Sequence, residues 1–310
     1  MPFVEEEFEI LKPTKALFFV RDVLKCSLKE AQRHLDKQRL KQNQQAVRKS
    51  QMIQGVVRLI HFKPNEKAQA LVFETKDFGV FDKPAQVYTH PKGYFYHESL
   101  LDCIQSHLGK NAHPAHRLDY ETSGLVLAGK TLQSVKDLKA LFMQKKVKKT
   151  YLALAHGLVE KSMKIDKPIL TPQNIQKDLR IRSKISPLGK PSITLVDPLS
   201  YNPFLDISLL KITPLTGRTH QIRLHLSSVG HRIVGEGLYG VADEEARGYL
   251  QLKRENHAPL LMLHASSLEF KFKGASYKIT SQIPKRFMPF LKDLSFFIDC
   301  SFGCSLLGFG

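Results

Sequence analysis

His116-Arg117-Leu118-Asp119-Tyr120-Glu121-Thr122-Ser123-Gly124-Leu125-Val126-Leu127 decides how this chain is read. It sets one acid, Asp119, between the basic pair His116-Arg117 and a Gly-bounded apolar segment that reads as a buried strand. A carboxylate there is placed for chemistry. A lone Arg-x-Asp is more simply a turn-capping acid beside a surface cation, so the rest of the chain must choose between the two.

Other strings stand in a fixed order around it. Lys83-Pro84-Ala85 and His90-Pro91 precede it, and Lys149-Thr150-Tyr151-Leu152-Ala153 follows. Thr216-Gly217-Arg218-Thr219-His220-Gln221-Ile222-Arg223-Leu224-His225-Leu226 lies well downstream. Together they resemble the H-R-L-D-x-x-T-S-G-L, K-P-x-G…H-P, K-x-Y and T-G-R-T-H-Q-I-R-x-H-L motifs of the RluA family of RNA pseudouridine synthases. Smaller echoes at Gly189-Lys190…Thr194, Gly235-Glu236-Gly237-Leu238-Tyr239-Gly240 and Leu263-His264-Ala265 extend the likeness over about residues 68–290. Gln86 departs from it by standing where the family has glycine. Glycine allows backbone angles that cost other residues energy, so Gln86 implies a slightly different turn.

The resemblance implies an isomerase that detaches uracil from ribose, turns it and rejoins it through a ring carbon, with no cofactor and no metal. Asp119 is then the catalytic carboxylate. It either attacks the substrate covalently or draws a proton so that a glycal-like species forms, and the sequence does not choose. Burial would push its pKa up, so a cation must hold it ionised. By resemblance that cation is Arg223, whose guanidinium can pair through two donors. Tyr151 would stack on the uracil and place its oxygen near the carbon that loses a proton. Arg117 would fill the gap left when the uridine leaves its stack, which costs a few kcal/mol. Lys149 and Arg218 would meet phosphates, and His116, His220 and Gln221 complete the implied substrate-binding set. If Thr219–Val229 is a helix, His220 and His225 fall on different faces, which suits hydrogen-bonding supports better than one metal ion.

Composition agrees with such a partner. Lysine and arginine outnumber aspartate and glutamate 47 to 29, a formal charge of +18 over 310 residues, so the surface favours a polyanion. No apolar run approaches the ~20 residues that span a bilayer, and the N-terminus is acidic where a signal peptide is basic; a cytoplasmic monomer without membrane contact is expected. The four cysteines, Cys26, Cys103, Cys300 and Cys304, are too scattered for a disulfide framework.

Three segments are expected: 1–66, 67–295 and an apolar tail, 296–310. In the first, Ser27-Leu28-Lys29-Glu30 has the form of a capping box opening a helix to about Arg39, with Lys29, Arg33 and Lys37 available to phosphate. Val56–Ile60 reads as a strand. The layout resembles an S4 RNA-binding domain, although Gln38–Asn43 lacks that domain's usual glycine. Without the resemblance it is a small basic helical cap. Lys63–Lys67 reads as the linker. Beyond it, strands at 70–74, 79–82, 125–128, 151–155, 207–212 and a 268–279 hairpin, with few long helices, predict an α+β protein. By resemblance this is the pseudouridine synthase fold, a central mixed, largely antiparallel sheet. The S4-like segment favours large-subunit ribosomal RNA as substrate; transfer RNA, or RNA binding without catalysis, are the alternatives.

Overall fold

The computed structural model describes residues 3–62, 71–91, 99–171, 182–255, 257–291 and 295–296. The expected linker, most of the tail, and Cys300 and Cys304 lie outside them. In chain order the first elements are β1 (Phe3–Lys15), α1 (Ala16–Leu24), α2 (Leu28–Asp36), β2 (Leu40–Gln42), β3 (Gln45–Ala46), β4 (Met52–Phe62), β5 (Leu71–Glu74), β6 (Phe78–Lys83) and α3 (Leu100–Leu108). Then come β7 (His113–Pro114), β8 (Ser123–Gly129), α4 (Leu132–Met143), β9 (Lys148–His156), β10 (Met163–Asp166), β11 (Ile169–Leu170), β12 (Lys184–Ile185) and β13 (Ile193–Asn202). The chain continues through β14 (Ile207–Pro214), α5 (Gln221–Ser227), α6 (Asp243–Arg254), β15 (Leu263–Phe272), β16 (Ala275–Thr280) and β17 (Ser295–Phe296).

Two units result. The first comprises 1–68 and 90–110, the second 69–89 and 111–310. Residues 90–110, expected in the second segment, cluster with the first. Lys110 Nζ donates to the Lys25 carbonyl at 3.4 Å, a link that no local pattern encodes.

In the first unit β1, β4, β2 and β3 form an antiparallel sheet in that order. The acidic N-terminal run, read from sequence only as a poor signal peptide, is the edge strand β1. Its Glu7 and Glu6 pair across to Arg58 (2.8 Å) and His61 (2.9 Å) of β4. Helix α2 starts as its capping box predicts: Ser27 N–H donates to Glu30 Oε2 at 2.9 Å, and Glu30 N–H to Ser27 Oγ at 3.3 Å. Ala31 and Leu35 turn into a core with Ile10, Val20, Ile53 and Leu59, while Lys29 and Arg33 stay exposed on the same helix and Lys37 at its C-cap.

The second unit is built on an 11-stranded sheet ordered β10-β13-β14-β9-β15-β8-β6-β5, with β16, β17 and β7 pairing on β15, β13 and β8. It is mixed and largely antiparallel, as expected, because only β15 and β8 run parallel among its pairs. Phe78, Val80, Leu125, Leu127, Phe270 and Phe272 pack together with Leu138 of α4. Gln86 sits at φ 60°, the left-handed region that glycine favours. The Gln86 side chain anchors this glycine-like conformation by donating to the Ala258 carbonyl at 2.9 Å.

The parallel β15·β8 pair begins four residues after Asp119, with Gly124 facing Ala265. Gly124 has φ 112°, and a Cβ there would stand 2.3 Å from the Ala265 carbonyl oxygen. Gly124→Ala should therefore cost about 3 kcal/mol or more through overpacking and backbone strain, read as a drop of several degrees in thermal midpoint. An unchanged midpoint would show that the strands can part freely there.

Candidate active site

The Asp119 segment enters β8 as a short turn closed by Thr122 N–H on the Asp119 carbonyl (3.2 Å). Both neighbours of the acid are fixed. Thr89 Oγ1 donates to the Leu118 carbonyl (3.0 Å) and accepts from the Leu118 N–H (3.1 Å). On the other side the buried Lys83 Nζ donates to the carbonyls of Tyr120 (3.3 Å), Pro84 (2.8 Å) and Val87 (2.7 Å). Burial pulls the Lys83 ammonium down to about 7, against the opposing pull of Asp119 and Glu121. Three acceptor-only partners use all three of its hydrogens.

Asp119 opens into a cleft of about 1470 Å³. The same cleft is lined by His116, Arg117, Lys149, Tyr151, Arg218, His220, Gln221 and Arg223, so the catalytic and substrate-binding residues expected from sequence converge on one place. Lys145, Lys146, Lys148, Lys271 and Lys278 add positive charge along its walls. The Asp119 side chain keeps 24% of its surface exposed. Tyr151, on β9 between β14 and β15, is 9% exposed. Burial, reinforced by the Asp119 charge, pushes its phenol well above the ordinary range, so it is neutral.

Several expected roles change. Arg223, on α5, does not give its paired donors to Asp119. Its Nε and Nη2 meet Glu236 at 2.5 and 2.8 Å, and Nη1 meets Glu121 at 3.3 Å. Burial disfavours the guanidinium charge, but Glu236 and Glu121 outweigh it and keep it ionised. Glu121 in turn accepts from Lys253 Nζ at 2.5 Å. Gln221, expected at the substrate, has a saturated amide: Oε1 accepts from Thr216 Oγ1 and Arg218 N–H, and Nε2 donates to the Ile193 carbonyl and Thr194 Oγ1. His116 accepts from Leu127 N–H at 3.1 Å and stacks on Phe142 at 4.3 Å. Burial, with Lys149 nearby, holds it neutral at about 3. Both residues brace the cleft wall. By contrast Arg117 is exposed, and the buried Arg218 Nε has no partner among the described residues.

His225 is a support as expected, between Thr194 Oγ1 (2.8 Å) and the Lys167 carbonyl (2.9 Å). Among the described residues no group of three or more His, Cys, Asp or Glu side chains is arranged to hold a metal ion. Sequence reasoning gave no role to Glu121, Glu236, Lys253, Lys83 or Tyr239. Glu236 did carry a signal. It stands between Gly235 and Gly237, where a Cβ would come within 2.2 Å of the Leu260 carbonyl and 2.1 Å of the Tyr249 ring, so the acid is held among close backbone approaches.

The buried charges make stability depend on pH. Burial alone raises the Glu121 carboxyl, but Arg223 and Lys253 outweigh it and hold it at about 2. A carboxyl depressed by folding stabilises the protein above its unfolded pKa, and that stability is lost as pH falls through the folded value. Acidification from about pH 5 to about pH 2 should therefore remove roughly 3 kcal/mol through this group, and Glu121→Gln should flatten that limb of a stability–pH curve. Arg223→Ala should cost about 3–5 kcal/mol at neutral pH, since it strands Glu236 without its cation. Denaturant titration that finds Arg223→Ala as stable as wild type would refute the pairing.

A family model described as RNA pseudouridylate synthase matches residues 77–228. An uncharacterized RNA pseudouridine synthase of Helicobacter pylori (strain ATCC 700392 / 26695) is 94% identical over 96% of this chain and 100% of its own. The dual-specificity RNA pseudouridine synthase RluA of Pasteurella multocida (strain Pm70) is 32% identical over 67% of this chain and 89% of its own. Among solved structures, human RNA pseudouridylate synthase domain containing 1 is similar at TM-score 0.56 and 25% identity, covering 72% of this chain and 85% of the other. With the motif residues gathered in one basic cleft over the mixed sheet, this chain belongs to the RNA pseudouridine synthase family.

Proposed function

We propose that this isomerase converts specific uridines of large-subunit ribosomal RNA to pseudouridine, with Asp119 as the reacting carboxylate and Tyr151 against the uracil. The observation that carries the reading is the placement of Asp119. It is the carboxylate held between two clamped residues in a cleft also lined by lysines and by the buried Tyr151. Asp119 then acts on the ribose, by attack or by taking a proton on the way to a glycal-like species. A neutral Tyr151 phenol can take the ring proton only if its own passes to a base, a place that a water in the cleft or the Asp119 carboxylate released from the sugar would fill. Arg223 spends its hydrogen bonds on Glu121 and Glu236 and reaches Asp119 through its charge. Arg117 and Arg218 have guanidinium surface left for the RNA, suited to stacked bases and to phosphate.

The choice of ribosomal RNA rests on the likeness of the first unit to an S4 domain and on the exposed row Lys29, Arg33 and Lys37 of α2 and its C-cap. The dual-specificity name of the Pasteurella relative makes transfer RNA the second arm of the test. Mapping pseudouridines in ribosomal and transfer RNA from cells with and without the gene separates the two.

Asp119→Asn should abolish pseudouridine formation while RNA affinity stays near normal, because only one charge among many is removed. Full turnover would sink the assignment. Tyr151→Phe should bind RNA and stall after the glycosidic bond breaks; a normal rate of product appearance would make the phenol oxygen dispensable. Replacing Lys29, Arg33 and Lys37 together by alanine should weaken binding and lower the slope of log affinity against log salt by about one unit for each phosphate left without its cation. An unchanged slope would leave α2 as a structural cap.

A further inference from the structure

Tyr239 and His220 form a chain of hydrogen bonds that ends at Asp119. Ser183 N–H donates to Tyr239 Oη at 2.9 Å, and Tyr239 Oη lies 2.8 Å from His220 Nδ1. On the far side of the ring, His220 Nε2 stands 4.0 Å from Asp119 Oδ1. Tyr239 is 5% exposed and His220 8%. Burial lowers the His220 pKa, with Arg223 acting the same way and Asp119, Glu121 and Glu236 opposing. A neutral imidazole carries one N–H, so the Tyr239 contact decides which nitrogen has it.

We propose that Tyr239 donates to His220 Nδ1 and so fixes the proton on Nε2, making Tyr239 and His220 positioning residues that present a neutral N–H donor to Asp119. The assignment follows from the partners. The Ser183 amide can only donate, so it occupies one lone pair of Tyr239 Oη and leaves the phenol its hydrogen and its second lone pair for Nδ1; the Asp119 charge beside Nε2 chooses between them. The opposite tautomer would turn a nitrogen lone pair toward the Asp119 carboxylate, where the two repel. At 4.0 Å the Nε2–Oδ1 distance is too long for a hydrogen bond; such contacts tighten when substrate fills a site. The donor would then hold one carboxylate oxygen and leave the other for the ribose. His220 is held for this at φ 55°, a left-handed conformation that costs a residue with a Cβ energy. The proposal rests on Asp119 being the reacting group, yet it fails separately from that reading.

Three variants of the full chain test it, with single-turnover rates at saturating RNA and RNA Kd measured for each. Asparagine adopts the left-handed backbone most easily and can still meet Tyr239, but its side chain is too short to reach Asp119. Glutamine is worse for the backbone yet carries an amide N–H near the Nε2 position. His220→Asn should therefore be slower by about 100-fold with little change in Kd, while His220→Gln stays within about tenfold of wild type. Tyr239→Phe removes one oxygen, preserves the ring's packing and should fall between them. In ¹⁵N-histidine spectra the ring signal missing from His220→Gln should report an Nε2–H tautomer in wild type and a changed tautomer ratio in Tyr239→Phe. His220→Asn as fast as His220→Gln, slower rates matched by weaker Kd, or an Nδ1–H tautomer in wild type would overturn the proposal. Full turnover by Asp119→Asn would instead remove the reading beneath it.

Discussion

A buried guanidinium between two carboxylates is the constraint on which the site depends. Arg223 is fully buried, and an unpaired charge there would be strongly destabilising. Its partners come from separate parts of the second unit: Glu121 from the turn after Asp119, Glu236 from the glycine-flanked loop, and Lys253 of α6 through Glu121. Satisfying these charges brings the segments together in one arrangement. Asp119, two residues before Glu121, takes its place from that arrangement and from the clamps at Leu118 and Tyr120. The cation that the motif supplies thus gives its hydrogen bonds to the wall beside the acid and meets the acid through charge alone.

This division between framework and working groups also separates residues that a motif treats alike. Gln221 and His116 stand in the motifs beside Arg218 and Arg117, yet the first two spend their hydrogen-bonding capacity inside the protein. Arg117 stays exposed, and the Arg218 Nε has no partner among the described residues. These arginines and the lysines along the cleft give it the positive charge that a phosphate-rich partner requires.

The motifs named in advance the residues that line the cleft because each is a local string, and apolar runs and alternation marked β5, β6, β8, β9, β14, β15 and β16, whereas β7, β10, β13 and β17 went unread. What the sequence hid was pairing at a distance. Arg223 meets Glu121 across 102 residues, and Lys253 meets it across 132, so nothing near Glu121 marks it as the acid that Arg223 would seek. Strand β1 was hidden for the same reason: its glutamates look like a solvated acidic run until Arg58 and His61, 51 and 55 residues on, are set opposite them. Gln86 shows the limit of composition rules, since an anchoring hydrogen bond lets a residue with a side chain occupy a glycine conformation.

The most direct test of this account is a double-mutant cycle on stability for Arg223→Met and Glu236→Leu. Each single change leaves a buried charge out of balance, whereas the double change leaves Glu121 still paired with Lys253. The account predicts that the double variant is more stable than the sum of the single effects implies, with a coupling of about 2 kcal/mol or more. Additive effects would contradict it and would mean that the Arg223–Glu236 pair does not hold the wall of the site.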